Sequence, residues 1–136
     1  MADASVQQAG GPGSGGSAVR LLGSTTELAA AADAGESGAI WRLEPADRHL
    51  DANVIALPPG DAIADHVGPD EDVLLHVLAG SGVLRSGSTE VGLTEGAIVW
   101  LPRRSRRAIE AGPDGLRYFS VHRRKGGLQI GATHPN

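Results

Sequence analysis

Gly60, five intervening residues and then His66 read as the opening of a metal site carried on a strand. Two residues on, where a second imidazole would complete the pair, stands Gly68. An imidazole offers a metal one nitrogen lone pair, or moves a proton near neutral pH. Asp70, Glu71 and Asp72 follow in a turn opened by Gly68-Pro69. Asp72 is a candidate ligand, or an orienting partner for His66. Three neighbouring acids hold Ca²⁺ only when further oxygen donors complete the shell, so a solvated turn is the plainer reading. His76 lies inside VLLHVLA and reads as a structural or interface histidine, and His122 ends LRYFSVH. Arg107 closes the run RRSRR at 103–107. A guanidinium grips an oxyanion with two parallel hydrogen bonds, which makes Arg107 a candidate anion anchor. Its plainer role is a salt bridge to Glu110 or Asp72. Tyr118 and His66 would form an acid–base pair if both faced one cavity. The catalytic candidates are therefore His66 and Tyr118, and the ligand-binding candidates His66, Asp72 and Arg107. No metal site is expected; His66 and Asp72 are the residues that would begin one.

The totals narrow the function classes. A chain of 136 residues suggests one domain. Without cysteine there are no disulfides, thiolate metal sites or thiol catalysis. A net charge of −4 argues against bulk attraction to nucleic acid or to an anionic membrane. The arginine run points the other way, but the chain has few aromatic side chains to stack bases on, with 2 Trp, 1 Tyr and 1 Phe. No apolar run approaches a membrane span. The start, MADASVQQAGG, lacks the basic and apolar regions of a secretory signal, so a soluble cytoplasmic protein is expected.

The elements that must position these residues are short strands. Residues 1–18 are rich in Gly, Ser and Gln and read as a disordered leader. Residues 19–38 hold one short helix, capped by Thr25 or Thr26, running from Glu27 to about Asp33 and stopped by Gly35. From residue 39 to 126 the period becomes that of strands. AIWRLE, HLDANVIALPP, DAIADH, DVLLHVLA, GVLRS, TEVGL, AIVWLP, RRAIEA and LRYFSVH are each bounded by Gly, Pro, Ser or Asp. Such spacing predicts an antiparallel sandwich or barrel. VLLHVLA is apolar on both alternating faces, so it is expected to be covered on both sides, the outer one by another sheet, the N-terminal strands or a second subunit. Trp41, Trp100 and Tyr118 read as core, with Trp100 packed. Residues 127–136 read as a loosely attached tail.

Residues 60–107 resemble the cupin superfamily. Gly60 and His66 match the opening of the first cupin motif, and VLAGSG ending at Gly82 resembles its close. In the second motif, Gly96 and Pro102 match the opening in GAIVWLP. The resemblance implies an all-β double-stranded β-helix, the jelly-roll barrel, with the short helix at its N-terminal end. It implies a metal held by three His and one Glu, and here the match fails. His66 is in place, the second His position is Gly68, and the last is Arg107. The motif's inner glycine is Arg104. Counting forward from Gly68 puts the Glu position at Asp72, and counting backward from Gly80 puts it at Val73. One residue reverses the face of a strand, so Asp72 faces inward only if a bulge absorbs the difference.

An arginine has no lone pair to give and stays cationic, so it repels a divalent ion. The expected protein is a cupin-like small-molecule binder with a degenerate metal site, His66 and Arg107 facing the cavity, no cofactor and an anionic ligand. Two alternatives stand beside it. One is a metal-independent isomerase, epimerase or cyclase using His66 and Tyr118. The other is a metal-dependent oxygenase whose missing ligands are His76 or His122. Cupins are commonly dimers, which the doubly apolar strand Val73 to Ala79 favours, so a homodimer is the expected assembly.

Overall fold

The computed structural model describes residues 18–31, 33 and 35–125. The leader and tail expected at 1–18 and 127–136 fall outside these residues, apart from residue 18. One helix precedes seven strands: α1 Thr25–Ala31, β1 Gly38–Arg42, β2 Leu50–Leu57, β3 Ala62–Val67, β4 Val73–Ser86, β5 Thr89–Thr94, β6 Ile98–Leu101 and β7 Arg106–Arg123. All pairings are antiparallel.

β4 and β7 are each long enough to run through two sheets. The first half of β4 pairs with β6 and with the second half of β7, which in turn pairs with β2 and so to β1. The second half of β4 pairs with β5 and with the first half of β7, which also pairs with β3. The turns expected at AGSG and AGPDG are therefore corners, through which the ladder continues. Gly80 shows why. It takes φ 79°, and a Cβ there would overlap the carbonyl of Gly115 on the crossing corner. Only a residue without a side chain lets the two bent strands cross that closely.

The two sheets face each other over one apolar core. Val73, Leu75 and Val77 alternate inward from β4 and meet Leu101, Leu116 and Tyr118. Leu84, Leu93, Ile109 and Ala111 close it from the second sheet. Burying a side chain of this size stabilises the fold by roughly 1.5–3 kcal/mol.

The helix cap differs from the expectation. Ser24 fills it, its Oγ accepting from the Glu27 N–H at 3.3 Å, with Glu27 three residues on in capping-box spacing. Of the covers expected for the outer face of β4, neither a second sheet nor the N-terminal strands lie over it within the described chain: Leu74 is 46% exposed and His76 is exposed. Trp100, expected to pack, is 62% exposed on the same face. Trp41 is half-buried, its ring 6.3 Å from that of Phe119. No described helix is long and apolar enough to cross a membrane.

Candidate functional site

Pro102 to Ser105 form a turn closed by the Ser105 N–H donating to the Pro102 carbonyl at 3.1 Å. Arg104 at its third position takes φ 61°, as a type II turn requires. A glycine normally fills that position, and Arg104 is where the cupin motif has its inner glycine. The turn is tied to the end of β3: Gly68 N–H donates to the Ser105 carbonyl at 2.9 Å, and Arg104 N–H to the Pro69 carbonyl at 2.7 Å.

Arg107 starts β7 beneath this turn and is only 6% exposed. Its Nε donates to the Ser105 carbonyl at 3.3 Å. Its Nη2 donates to the Pro102 carbonyl at 3.0 Å and to Ser105 Oγ at 2.8 Å. No carboxylate pairs with it among the described residues, so neither expected partner, Glu110 or Asp72, is its salt bridge. Glu110 instead meets Arg85 at 3.3 Å. Burial lowers the Arg107 pKa from its ordinary value, but a guanidinium starts so high that it stays charged. Nη1 makes no hydrogen bond among the described residues and is not sealed from solvent. Gly68 makes room for this packing. A Cβ there would overlap the guanidinium carbon and Nη2 and lie 2.7 Å from Nε. The guanidinium thus occupies the space that a side chain at 68 would need.

His66 is the register partner of Arg107 across the β3–β7 ladder. Direct partners in an antiparallel pair share a face, so the structure brings these two together. The imidazole is exposed at the rim rather than enclosed, and its Nδ1 lies 2.9 Å from the Ala64 carbonyl. A carbonyl can only accept, so Nδ1 carries the proton and Nε2 presents a lone pair when the ring is neutral.

Asp72 points away from the core. It is exposed, and its Oδ1 accepts from Arg103 N–H at 2.8 Å and from Arg103 Nη1 at 3.4 Å. Val73 takes the inward place and is buried. The backward count from Gly80 therefore gives the facing residue, and no bulge turns Asp72 inward. Glu71, read as a turn carboxylate, is buried. The signal for it was its two-residue spacing from Val73 and Leu75, which carries the alternation back beyond the strand.

Tyr118 is in the core on the other sheet, paired with Ile55 and Val77, and is not a neighbour of His66 in any ladder. Burial pushes its phenol up to about 12. His76 faces outward between Ile98 and Phe119, whereas His122 pairs with Val73 on the inner side. Alternation thus puts the two on opposite faces, so they cannot both join His66 in one shell. Among the described residues no three His, Cys, Asp or Glu side chains stand close enough to share an ion. A transition metal needs three or four donors in one shell. The residues at the cupin metal position do not fit one: a glycine, an inward valine and a cation stand where donors would be.

A cleft of about 470 Å³ lies outside the barrel, between residues 22–28 and Ile40 and Trp41 of β1, and contains none of these side chains.

No family model matches the sequence, and no curated protein does. Solved structures do. The chain superposes on the protein BH2720 of Bacillus halodurans with a TM-score of 0.62 at 14% identity, over 90% of this chain and 89% of the other. It matches a cupin superfamily protein of Desulfitobacterium hafniense with a TM-score of 0.59 at 16% identity, over 69% and 83%. It matches the cupin domain of Schizosaccharomyces pombe Cnp3 with a TM-score of 0.56 at 16% identity, over 65% of this chain and 62% of that one. The chain thus spans under two thirds of the Cnp3 chain.

Proposed function

We propose that this chain, which has the cupin fold, binds a small anionic molecule at the end of its barrel through Arg107 and His66, without a transition metal. One observation carries the reading: a nearly buried guanidinium that has, among the described residues, no carboxylate partner and an unused Nη1. Keeping a cation from water without a counter-charge is costly, and a bound anion offsets that cost. The two Nη1 donors and the His66 ring are the groups that would meet it. His66 Nε2 meets an oxyanion as a donor only when the ring carries its second proton, because the neutral ring gives its one N–H to the Ala64 carbonyl. Apolar side chains fill the barrel's middle, so the anion sits at the rim that Arg107 and His66 share. Asp72 is not in this binding set, because its carboxylate faces Arg103 and would repel the ligand's charge. Cytoplasmic residence belongs to the same reading, and cell fractionation tests it.

Thermal unfolding of the full chain in chloride, then with added inorganic phosphate, acetate or oxalate, tests the binding. A ligand that binds only the folded state raises stability by RT ln(1 + [L]/Kd). Wild type should gain Tm with at least one oxyanion, and Arg107→Met should lose the gain. Equal gains in both proteins, or none in wild type, contradict the reading.

A further inference from the structure

Among the described residues only two charged ones are buried, Glu71 at 7% exposure and Arg107 at 6%. Both stand against the turn 102–105. Arg107 donates to the Pro102 and Ser105 carbonyls and to Ser105 Oγ. Glu71 lies between two anchors on the same turn: the Pro69 carbonyl accepts from Arg104 N–H at 2.7 Å, and Asp72 Oδ1 from Arg103 N–H at 2.8 Å. Glu71 keeps a two-residue spacing from the buried Val73 and Leu75, and Arg107 keeps it from Ile109 and Ala111 of the core. That spacing gives both the inner side of the barrel end. No hydrogen bond or ion pair reaches the Glu71 carboxylate among the described residues, and neither oxygen is sealed from solvent. Nor does an ion pair join Glu71 to Arg107.

We infer that the anion proposed above is the carboxylate end of a small amino acid, whose ammonium group Glu71 receives. The inference rests on Arg107 taking a carboxylate, and it adds the other half of the molecule. Two opposite charges, each largely removed from water and not joined to each other, are each costly. Direct pairing would offset both costs, but neither group is free to travel. The guanidinium is pinned by its bonds to two main-chain carbonyls and a hydroxyl, and the backbone is tied on both sides of Glu71. A zwitterion bridges them without moving either. Its carboxylate takes the unused Nη1 donors, and its ammonium gives charge-assisted hydrogen bonds to the Glu71 carboxylate. A dianion is repelled by Glu71 as it is drawn to Arg107, whereas an amino acid is attracted at both ends. The carbons between its amino and carboxyl groups must span the gap, so one chain length fits best.

Thermal unfolding of the full chain with matched pairs of probes, titrated at one ionic strength, reads the preference through the stabilisation each gives. The pairs are glycine with acetate, β-alanine with propionate, and γ-aminobutyrate with butyrate. Wild type should bind at least one amino acid about tenfold more tightly than its matched carboxylate, the worth of one charge-assisted hydrogen bond. Glu71→Gln should bring that amino acid to the level of the carboxylate, and Arg107→Met should remove the response to both. The wild-type comparison needs no variant, so it decides the matter even where Glu71→Gln fails to fold. Carboxylates that raise Tm, with amino acids no better, overturn this inference and leave the anion site standing. No response to either also overturns it, and takes the anion reading with it where phosphate and oxalate fail too. A preference for the amino acid that survives Glu71→Gln is equally contrary. So is acetate that binds Glu71→Gln but not wild type, since the Glu71 side chain would then fill the guanidinium itself.

Discussion

At the scale of the residue, Gly68 and Arg107 act as one unit. The glycine leaves a hole and the guanidinium lies in it, held by two carbonyls and one hydroxyl. Backbone at Gly68 does not require glycine, because its φ is not in the left-handed region; only the space does. Gly68→Ala should therefore displace the guanidinium and cost about 1–3 kcal/mol, the range for losing charge-assisted hydrogen bonds. In an Arg107→Met background the same change should cost far less, because a thioether bends away. Urea unfolding of the four proteins measures the coupling. Additive costs would show that the two positions are independent. Tyr118 gives a second residue-scale prediction. Its folded pKa of about 12 lies above the ordinary 10.0. The protonated phenol's contribution to stability is thus complete below pH ~10 and is lost as pH climbs from there through about 12. The chain has one tyrosine, so ultraviolet titration reads it without overlap. Ionisation near pH 10 in the folded protein would contradict its burial.

The element scale shows what the sequence makes legible. The nine strand segments were readable because Gly, Pro, Ser and Asp interrupt short apolar runs. The joining of two pairs into β4 and β7 was not, since a positive-φ glycine reads as a break although the ladder passes through it. The inward position at the head of β4 was ambiguous between Asp72 and Val73 for a related reason: two motif counts disagreed by one, and only the backbone decides which is right. The exposure of Trp100 was also hidden, because alternation gives two faces and does not say which one lacks a cover. Of the site, motif spacing singled out His66 and Arg107 as candidates, but not their register pairing or the exposure of the imidazole. The turn that holds the guanidinium did not, because its acceptors are mostly main-chain atoms that any sequence supplies. That turn carries strain at Arg104, where a left-handed residue with a side chain costs roughly 1–2 kcal/mol. Arg104→Gly gives up only an exposed ion pair to Asp70 at 2.8 Å, worth at most about 1 kcal/mol. Chemical denaturation should show the variant no less stable than wild type, and up to about 1 kcal/mol more so. A clear loss would mean that the turn is relaxed as it stands.

For the whole molecule, the corners and core are those of the cupin fold, while non-donor residues stand where the motif resemblance would put metal ligands. The corner glycines and the core leucines are demands of the fold. Donor side chains at 68, 73 and 107 are demands only of an ion, and the fold survives their exchange. The exchange is also not reversed by one step. Arg107→His would restore one imidazole beside His66, with Gly68 and Val73 still supplying no donor. Elemental analysis of untagged protein, purified without chelator and dialysed against an equimolar mixture of Fe, Mn, Ni, Cu and Zn salts, tests the account most directly. The account predicts retained metal far below one atom per chain, in wild type and in His66→Ala alike. One atom of a single metal per chain in wild type, lost in His66→Ala, would contradict it.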